Sequence, residues 1–281
     1  MNDRYAVIGQ PISHSRSPWI HARFARQTQQ DIQFDAIEVV PARLTEYLRH
    51  FFADGGKGLS VTLPHKQAVT QLVQELTPRA AQAGAINTIL LRQDGALLGD
   101  NTDGAGLVRD LTQNLGISIV GRRLLLLGAG GAARGVLLPL LGLAPQEIFI
   151  ANRSPQRAHE LVERFSKFGK LRAGGFEDVP ARRFDLVINA TAANLAGEKP
   201  TIPVQTVGTQ TFCYDLAYAN RDTPFLSWAQ ERGCARAVMG LGMLVEQAAE
   251  QFQLWREVRP DTSSVLVALR AQISSAAAAT E

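Results

Sequence analysis

The hydrophobic positions of this chain form short apolar runs separated by amphipathic segments, which is the pattern of an α/β protein. In its early part the pattern predicts strands, helices and a hairpin. The strands are Tyr5–Gly9, Phe34–Val39 and Gly58–Leu63, the helices are Pro18–Gln27 and Leu44–Phe52, and the hairpin pairs Ala85–Leu91 with Leu97–Asp100. Strand and helix therefore alternate in a first α/β unit.

After a helix predicted at Thr102–Leu115, the chain starts a second series of strands. Leu124–Leu127 is a run of leucines that predicts a strand buried on both faces, as in a parallel sheet. Further strands are predicted at Ile148–Asn152, Leu186–Ala190 and Thr211–Asp215, as a doubly wound sheet requires. Two closing helices are predicted at Gly240–Trp255 and Ser264–Gln272.

The sequence thus predicts an α/β fold with two domains. We expect residues 1–103 and 241–281 to form the first, and residues 104–240 to form a Rossmann-type nucleotide-binding domain. The closing helices have no strand after them, so we expect them to pack back against the first domain. A chain of 281 residues is long enough to give each domain its own core.

The strongest local motif follows the leucine strand. Gly128 and Gly130 would let the backbone turn tightly and approach a pyrophosphate, and a helix predicted over Ala132–Leu138 would point its first amides at the phosphates. Ala133 takes the third glycine position of this fingerprint, an accepted variant. Glycine-rich turns also occur without a ligand, so the motif alone leaves a purely structural role open.

The next strand indicates which dinucleotide binds. Roughly 20 residues beyond the glycine turn, an NAD-binding domain usually has an acid that binds the ribose 2′-hydroxyl. This chain has Asn152, Arg153, Ser154 and Arg157 in that region and no acid. A guanidinium binds a 2′-phosphate through paired hydrogen bonds, whereas a carboxylate would repel it. We therefore predict NADP; the alternative is that the arginines only solvate the start of a helix at Pro155–Lys167.

Composition narrows the class of protein. The chain is 46% hydrophobic and 20% charged, and its net charge of +3 comes without a Lys/Arg cluster, which argues against a nucleic-acid partner. No apolar stretch approaches the roughly 18 residues of a membrane helix, and the histidines lack metal-ligand spacing. Cys213 and Cys234 are too few for a disulfide framework, and the start of the chain has no signal-peptide pattern. We expect a cytoplasmic protein with no membrane partner and no metal.

Polar side chains cluster in two loops of the first domain. Pro64 ends a strand and leaves His65 and Lys66 at its carboxyl end, where α/β sheets bind ligands. Further along, Asp100–Gly104 places hydrogen-bonding side chains between two apolar stretches. This second cluster predicts either part of a functional site or an ordinary helix cap, because Thr102 or Asp103 before a helix is common N-cap chemistry.

Several motifs, taken in chain order, carry a family resemblance. They are Pro11–Ser15, Val61–Lys66, Gly84–Thr88, Gly99–Gly104, Gly128–Gly131, Asn152–Ser154, and Gly240–Leu244 with Gln247. Together they resemble shikimate dehydrogenase, over both domains. The resemblance implies reversible, NADP-dependent reduction of 3-dehydroshikimate to shikimate, a step toward the aromatic amino acids. It also implies a small-molecule substrate as partner and a monomer or homodimer as the assembly.

The resemblance implies roles for individual residues. Lys66 and Asp103 match the family's catalytic pair. The substrate-binding residues would be Ser13, Ser15, Thr62, Asn87, Asp103, Tyr218 and Gln247. The cofactor-binding residues would be Gly128, Ala129, Gly130, Gly131, Ala132, Asn152, Arg153, Ser154, Arg157, Ala190, Thr191, Gly240 and Met243. Met243 lies on an otherwise apolar helix, so a core position is an equally open interpretation for it.

The catalytic pair can work in two ways. Hydride transfer from a secondary alcohol requires a base for the hydroxyl proton, and the reverse reaction requires an acid. Lys66 can serve as both if it reaches its neutral form. Alternatively, it stays charged and stabilises the developing alkoxide. The hydroxyls of Ser13, Ser15 and Thr62 suit a small polyhydroxylated ring acid, because each desolvated ring hydroxyl needs its own partner.

The chain departs from the family pattern at three places. Ser60 replaces the usual asparagine, Met239 replaces the usual aspartate, and Ala193-Asn194 alters a later loop. These departures leave room for a quinate/shikimate dehydrogenase or a low-activity paralogue. A further alternative, from another class, is a non-catalytic nucleotide-binding module, against which the intact Lys66 and Asp103 argue.

Overall fold

The computed structural model describes residues 2–191 and 198–278, and within these ranges the strands form two sheets. The chain divides into two compact units. The first runs to Gly106 and resumes over Leu244–Val267, and the second covers Leu107–Met243 and resumes at Ala268. This division differs from the predicted domains, 1–103 with 241–281 and 104–240, chiefly in the final helix, whose residues from Ala268 group with the second unit.

The first unit is built on a mixed sheet. Its strands are β1 (Asp3–Gly9), β2 (Ile32–Glu38), β3 (Gly56–Val61), β4 (Glu75–Leu76), β5 (Thr88–Leu91) and β6 (Leu97–Asp100), in the spatial order β2-β1-β3-β5-β6-β4. β1 is parallel to β2 and β3, whereas β5 is antiparallel to both β3 and β6. The carboxyl end of β3, the start of β5 and the end of β6 therefore lie at one edge of the sheet.

Local sequence determines where the helices of this unit begin. They are α1 (Ser17–Thr28), α2 (Leu44–Ala53), α3 (Pro78–Ala83) and α4 (Asp103–Arg109), whose last turn belongs to the second unit. Proline occupies the first turn of α1 and α3, and the Thr77 side chain accepts a hydrogen bond from the Ala80 N–H at 3.3 Å. Leu48 of α2 belongs to the core cluster that Ile8 and Leu59 form on the sheet.

The second unit is a parallel sheet with helices on both faces. Its strands are β7 (Arg123–Leu127), β8 (Glu147–Ala151), β9 (Leu171–Gly174), β10 (Leu186–Asn189), β11 (Phe212–Asp215) and β12 (Arg236–Met239), and its helices include α5 (Gly131–Leu141), α6 (Pro155–Phe165) and α7 (Pro224–Glu231). The spatial order β12-β11-β10-β7-β8-β9 is that of a dinucleotide-binding fold, and it reverses between β7 and β10. The predicted α/β fold class is confirmed.

The leucine run of β7 is buried on both faces, as predicted. Leu124 and Leu126 belong to the core under α5, whereas Leu125 and Leu127 belong to the core that includes residues of α7. A continuous apolar strand is what a sheet covered on both faces requires.

Two helices close the chain, α8 (Leu241–Arg256) and α9 (Ser263–Ala278). Within the first unit, α8 packs on the sheet through Trp255, whose indole N–H donates to the Ile89 carbonyl at 3.0 Å and whose ring centroid lies 4.9 Å from that of Tyr5. None of the helices in the described ranges has the length and apolarity to cross a membrane.

Candidate functional site

Lys66 and Asp103 form an ion pair at the sheet edge where β3 ends. Lys66 Nζ donates to Asp103 Oδ2 at 2.5 Å, and the side chains are 16% and 5% exposed. The Ile86 N–H holds the Lys66 carbonyl at 2.7 Å, and Asn101 Oδ1 accepts from the Asp103 N–H at 3.1 Å. The ammonium is therefore fixed by its partner but still reachable, with donors left for a ligand.

Asn87, which immediately precedes β5, organises the polar side chains around this pair. Its Nδ2 lies 2.9 Å from Asp103 Oδ1, 2.8 Å from Thr102 Oγ1 and 3.1 Å from Gln247 Oε1. Its Oδ1 accepts from the Thr102 N–H at 2.8 Å and from the Thr88 hydroxyl at 2.7 Å. Because two amide hydrogens serve three acceptors, one acceptor can exchange for a ligand hydroxyl.

Gln247 and Thr102 complete this cluster. Gln247 Nε2 donates to the Leu244 carbonyl of its own helix at 2.8 Å, and Thr102 Oγ1 donates to the Gln247 carbonyl at 3.1 Å. The Thr102 hydroxyl thus links distant segments of the first unit. The sequence left Thr102, within the polar run Asp100–Gly104, open as part of a functional site or as a helix cap, and it did not assign Thr102 to a ligand.

Thr62 and the serines lie in the loops that follow β3 and β1. A Cβ on Gly9 would come within 2.5 Å of Thr62 Cγ2, and the Gln10 N–H donates to the Leu63 carbonyl at 2.9 Å. The loop that carries Ser13 and Ser15 therefore starts beside Thr62. Ser13 is exposed, and Ser15 is half-buried, with its Oγ accepting from a backbone N–H at 3.3 Å.

His65 has a structural position beside the site. Its side chain is buried, and Nε2 lies 2.6 Å from the Val39 carbonyl oxygen. Only Lys66, of the two residues that the sequence placed together after Pro64, is turned toward Asp103.

An ion pair between half-buried Arg79 and buried Asp100 supports the end of β6. Arg79 forms a bidentate ion pair with Asp100, and the Thr77 hydroxyl donates to the same carboxylate at 2.5 Å. Burial by itself raises the pKa of Asp100, but the hydrogen bonds from Arg79 and Thr77 outweigh it, so that the pKa is lowered. The strand end that leads into Asp103 is therefore fixed by charge.

The glycine turn of the second unit lies where the strand order reverses. Gly128 has a φ of +105°, and a Cβ there would lie 2.9 Å from the Ala190 carbonyl oxygen after β10. Gly130 precedes α5, and a Cβ on it would meet no atom of the described residues within 4 Å. Glycine is required for packing at the first position, whereas the second faces open space that a pyrophosphate fits.

The polar stretch after β8 lies at the start of α6. Asn152 Nδ2 donates to the Ser154 carbonyl at 3.0 Å, and the side chains of Arg153, Ser154 and Arg157 are exposed. Burial lowers the pKa of Arg134 on α5, and the positive charges of Arg164 and Arg157 lower it further, against the opposing effect of Glu160. Exposed guanidiniums in a positive field suit an anionic ligand.

The remaining residues that the sequence assigned to ligands lie in the second unit. Thr191 donates to Asn189 Oδ1 through both its N–H, at 3.1 Å, and its hydroxyl, at 2.7 Å. Gly240 packs against backbone, because a Cβ on it would lie 2.8 Å from the Leu216 carbonyl oxygen. Tyr218 is half-buried after β11, and Met243 is a buried member of the core cluster under α5.

A buried pair holds the start of α8. Tyr214 Oη donates to Asp110 Oδ2 at 2.6 Å, and a Cβ on Gly242 would come within 1.8 Å of Asp110 Oδ1. Burial and the negative charge of Asp110 raise the pKa of Tyr214 well above its ordinary value. The carboxylate thus fixes the backbone next to Gly240 and Met243.

The positions that the resemblance sets apart from the family pattern lie in different environments. Ser60 is buried on β3, and Met239 ends β12. Ala193 and Asn194 lie outside the described residues. Across residues 2–191 and 198–278, no cluster of three or more His, Cys, Asp or Glu side chains could hold a metal ion.

Family models match most of the chain. The shikimate dehydrogenase substrate binding domain matches residues 7–89, the shikimate / quinate 5-dehydrogenase model matches residues 110–214, and the shikimate 5′-dehydrogenase C-terminal domain matches residues 240–270. The three models follow one another in chain order, so the matches extend over both units.

Relatives and solved structures agree with these models. The NADP(+) shikimate dehydrogenase of Alkalilimnicola ehrlichii is 53% identical over 96% of this chain and 99% of its own length. The crystal structure of an Ael1 enzyme from Pseudomonas putida has a TM-score of 0.88 at 44% identity, covering 95% of this chain and 98% of that one. Shikimate 5-dehydrogenase from Thermus thermophilus, in complex with NADP(H) and shikimate, has a TM-score of 0.82 at 32% identity, covering 96% and 99%.

Proposed function

The chain belongs to the shikimate dehydrogenase family, and from that premise we propose that Lys66 and Asp103 are its catalytic pair. It is an NADP-dependent oxidoreductase that interconverts 3-dehydroshikimate and shikimate, a step toward the aromatic amino acids. The observation that carries the assignment of the pair is the 2.5 Å contact between Lys66 Nζ and Asp103 Oδ2, made by a lysine that is still partly exposed.

Oxidation of shikimate removes a hydride from a carbinol carbon and a proton from its hydroxyl oxygen. Bound NADP supplies the hydride acceptor or donor. Lys66 Nζ takes the hydroxyl proton in one direction and returns it to the forming alcohol in the other. Asp103 Oδ2 keeps Nζ in place while Asn87 holds the second carboxylate oxygen at 2.9 Å. If Lys66 instead stays charged, the same geometry stabilises the alkoxide.

The polar cluster supports a polyhydroxylated substrate. We assign the ring hydroxyls to Thr62, Asn87, Asp103 and Gln247, of which the last three are joined by hydrogen bonds in the first unit. Ser13 and Ser15, with Tyr218, would bind the carboxylate, since hydroxyl donors suit that anion.

The second unit supports NADP binding. Gly128–Ala132 would take the pyrophosphate, because the Gly130 Cα faces open space at the start of α5. Asn152, Arg153, Ser154 and Arg157 would clamp the 2′-phosphate with exposed side chains. The other residues assigned to the cofactor are Ala190, Thr191, Gly240 and Met243. Met243 is buried in the core, so it would contact the cofactor only through the small part of its surface that stays exposed.

Quinate is the second candidate substrate. The family model over residues 110–214 is described for shikimate and quinate enzymes alike. The resemblance drawn from the sequence also sets Ser60 and Met239 apart from the usual residues of a shikimate enzyme. Quinate has an extra ring hydroxyl that needs an additional partner when it is desolvated.

The test is a comparison of initial rates with shikimate or quinate and with NADP or NAD, followed through NADPH or NADH absorbance. We expect shikimate with NADP to give the highest kcat/KM. A highest kcat/KM for quinate with NAD would overturn this substrate and cofactor assignment. A chain that binds NADP but oxidises neither acid would instead be a nucleotide-binding module.

The proposal also covers the cellular location and the oligomeric state of the enzyme. We assign the enzyme to the cytoplasm, where thiols stay reduced, because Cys213 and Cys234 are free. A monomer or a homodimer fits a substrate cluster assembled from residues of one chain. Sedimentation equilibrium of the purified protein would decide between them.

A further inference from the structure

Gln251 is a buried amide one helical turn beyond Gln247 on α8. Its side chain is wholly buried, and Nε2 donates to Ser60 Oγ at 3.2 Å and to the Asn87 carbonyl at 3.0 Å. We propose that Gln251 is a positioning residue for the catalytic pair and acts through Asn87. The inference rests on the proposed role of Lys66 and Asp103.

The hydrogen bond from Gln251 Nε2 to the Asn87 carbonyl helps to fix the orientation of Asn87. The Asn87 N–H donates to the Asp100 carbonyl at 3.0 Å, and its carbonyl accepts from the Val61 N–H at 2.7 Å as well as from Gln251. The backbone of Asn87 is therefore held from β6, β3 and α8 together. Its side chain can then keep Asp103 Oδ1 at 2.9 Å while Lys66 binds Oδ2.

Packing alone does not account for an amide at this position. Gln251 is wholly buried, yet its Nε2 donates two hydrogen bonds, one to Ser60 Oγ and one to the Asn87 carbonyl. The two donated bonds are what an apolar side chain could not supply.

The position of Ser60 fits the same arrangement. Its short side chain lies opposite Gln251 and accepts the second Nε2 hydrogen. Removal of the Ser60 hydroxyl alone leaves the Gln251 bond to Asn87 in place.

The experiment measures kcat and KM for shikimate and for NADP in wild type, Gln251→Leu and Gln251→Met. Gln253→Leu is a matched control because Gln253 is exposed on the same helix. We expect both Gln251 variants to lose about 10-fold in kcat, since small misplacements of catalytic groups have large effects on rate. The KM for NADP of the Gln251 variants and the kcat of Gln253→Leu should stay within about twofold of wild type, because Gln253→Leu keeps the Gln251 contact with Asn87.

Methionine fits irregular core space, so Gln251→Met provides the result if Gln251→Leu does not fold. A kcat of wild-type size in a folded Gln251 variant, with only its thermal stability changed, would overturn the inference. An inactive wild type would instead reject the proposed function, which separates the two failures.

Discussion

Asn87 Nδ2 donates to Asp103 Oδ1 at 2.9 Å, while Lys66 Nζ holds Asp103 Oδ2 at 2.5 Å. The two oxygens of one carboxylate therefore have different partners: Asn87 orients the carboxylate, and the carboxylate in turn holds the Lys66 ammonium. All three side chains come from the sheet edge where β3 ends, β5 starts and β6 ends.

This relationship predicts the effect of Asn87→Ala. The substitution removes the donor to Asp103 and leaves the Thr102 and Gln247 acceptors short of a partner, so the unfolding free energy should fall by about 1–3 kcal/mol. The carboxylate also loses its orientation, and kcat should fall by roughly 10- to 100-fold. Urea unfolding and steady-state kinetics measure both. A kcat within about twofold of wild type would contradict the role of Asn87.

The two glycines of the turn should respond differently to alanine. Gly130→Ala should fold as well as wild type, because the added methyl meets nothing within 4 Å, but should raise the Kd for NADP by keeping the pyrophosphate away. Gly128→Ala should instead lose about 1–3 kcal/mol of stability, because φ is +105° and Ala190 is too close. Gly95→Ala is the control, because Gly95 also has a positive φ, +85°, but a Cβ on it would meet no described atom within 4 Å. Unchanged NADP affinity in Gly130→Ala, measured by calorimetry, would contradict a pyrophosphate at the turn.

The 2′-phosphate contacts proposed for Arg153 and Arg157 predict a change in cofactor preference. Arg153→Ala and Arg157→Ala should each lower kcat/KM for NADP by roughly 10- to 100-fold, the size of a lost charge-assisted hydrogen bond, and leave kcat/KM for NAD nearly unchanged. Arg232→Ala, an exposed arginine at the end of α7, is the matched control. Equal losses with NADP and NAD would mean that the arginines act on folding or on the common part of the cofactor.

His21 predicts a pH dependence of stability. Burial lowers the pKa of His21 to about 3 from 6.5, opposed by a smaller contribution from Gln251, and its ring stacks on Phe34 at 4.1 Å. The unfolded chain therefore binds a proton that the folded chain does not between those values, so stability is lost as the pH falls below 6.5. Between pH 7 and pH 5 the titration of His21 alone should lower the unfolding free energy by about 2 kcal/mol.

His21→Phe should remove that loss without disturbing the apolar surroundings of the ring. Urea unfolding of both proteins at the two pH values gives the comparison. The unfolding free energy should fall more between pH 7 and pH 5 in wild type than in His21→Phe. Equal losses in the two proteins would show that His21 is not the group that titrates.

Much of the fold follows from local patterns. The leucines of β7 predict burial on both faces because every residue is apolar, and the structure confirms it. Strands β9 and β12 were not predicted because each is only four residues long, Leu171–Gly174 and Arg236–Met239, and each contains an arginine. The single helix predicted over Thr102–Leu115 is only partly right: an α-helix from Asp103 to Arg109 continues as a π-helical turn over Asp110–Asn114.

The candidate site could be predicted only in part. The polar run Asp100–Gly104 was visible in the sequence, but the choice between a helix cap and a site depends on Asn87 and Gln247, which come from distant segments. The pairing of Thr88 with Asp100 brings Asn87 to Asp103, and no local pattern specifies that register. Gln251 was not distinguishable from the other polar residues of α8 for the same reason.

The central claim is that Lys66 transfers the proton that accompanies hydride transfer. It is tested most directly by kcat for shikimate oxidation in Lys66→Ala, with the NADP Kd measured on the same preparation and Lys57→Ala, an exposed lysine on β3, as control. We predict a kcat lower by roughly 10²- to 10⁴-fold with NADP binding nearly unchanged, the size expected for a lost general acid or base. A preserved kcat in a folded Lys66→Ala enzyme would contradict the account.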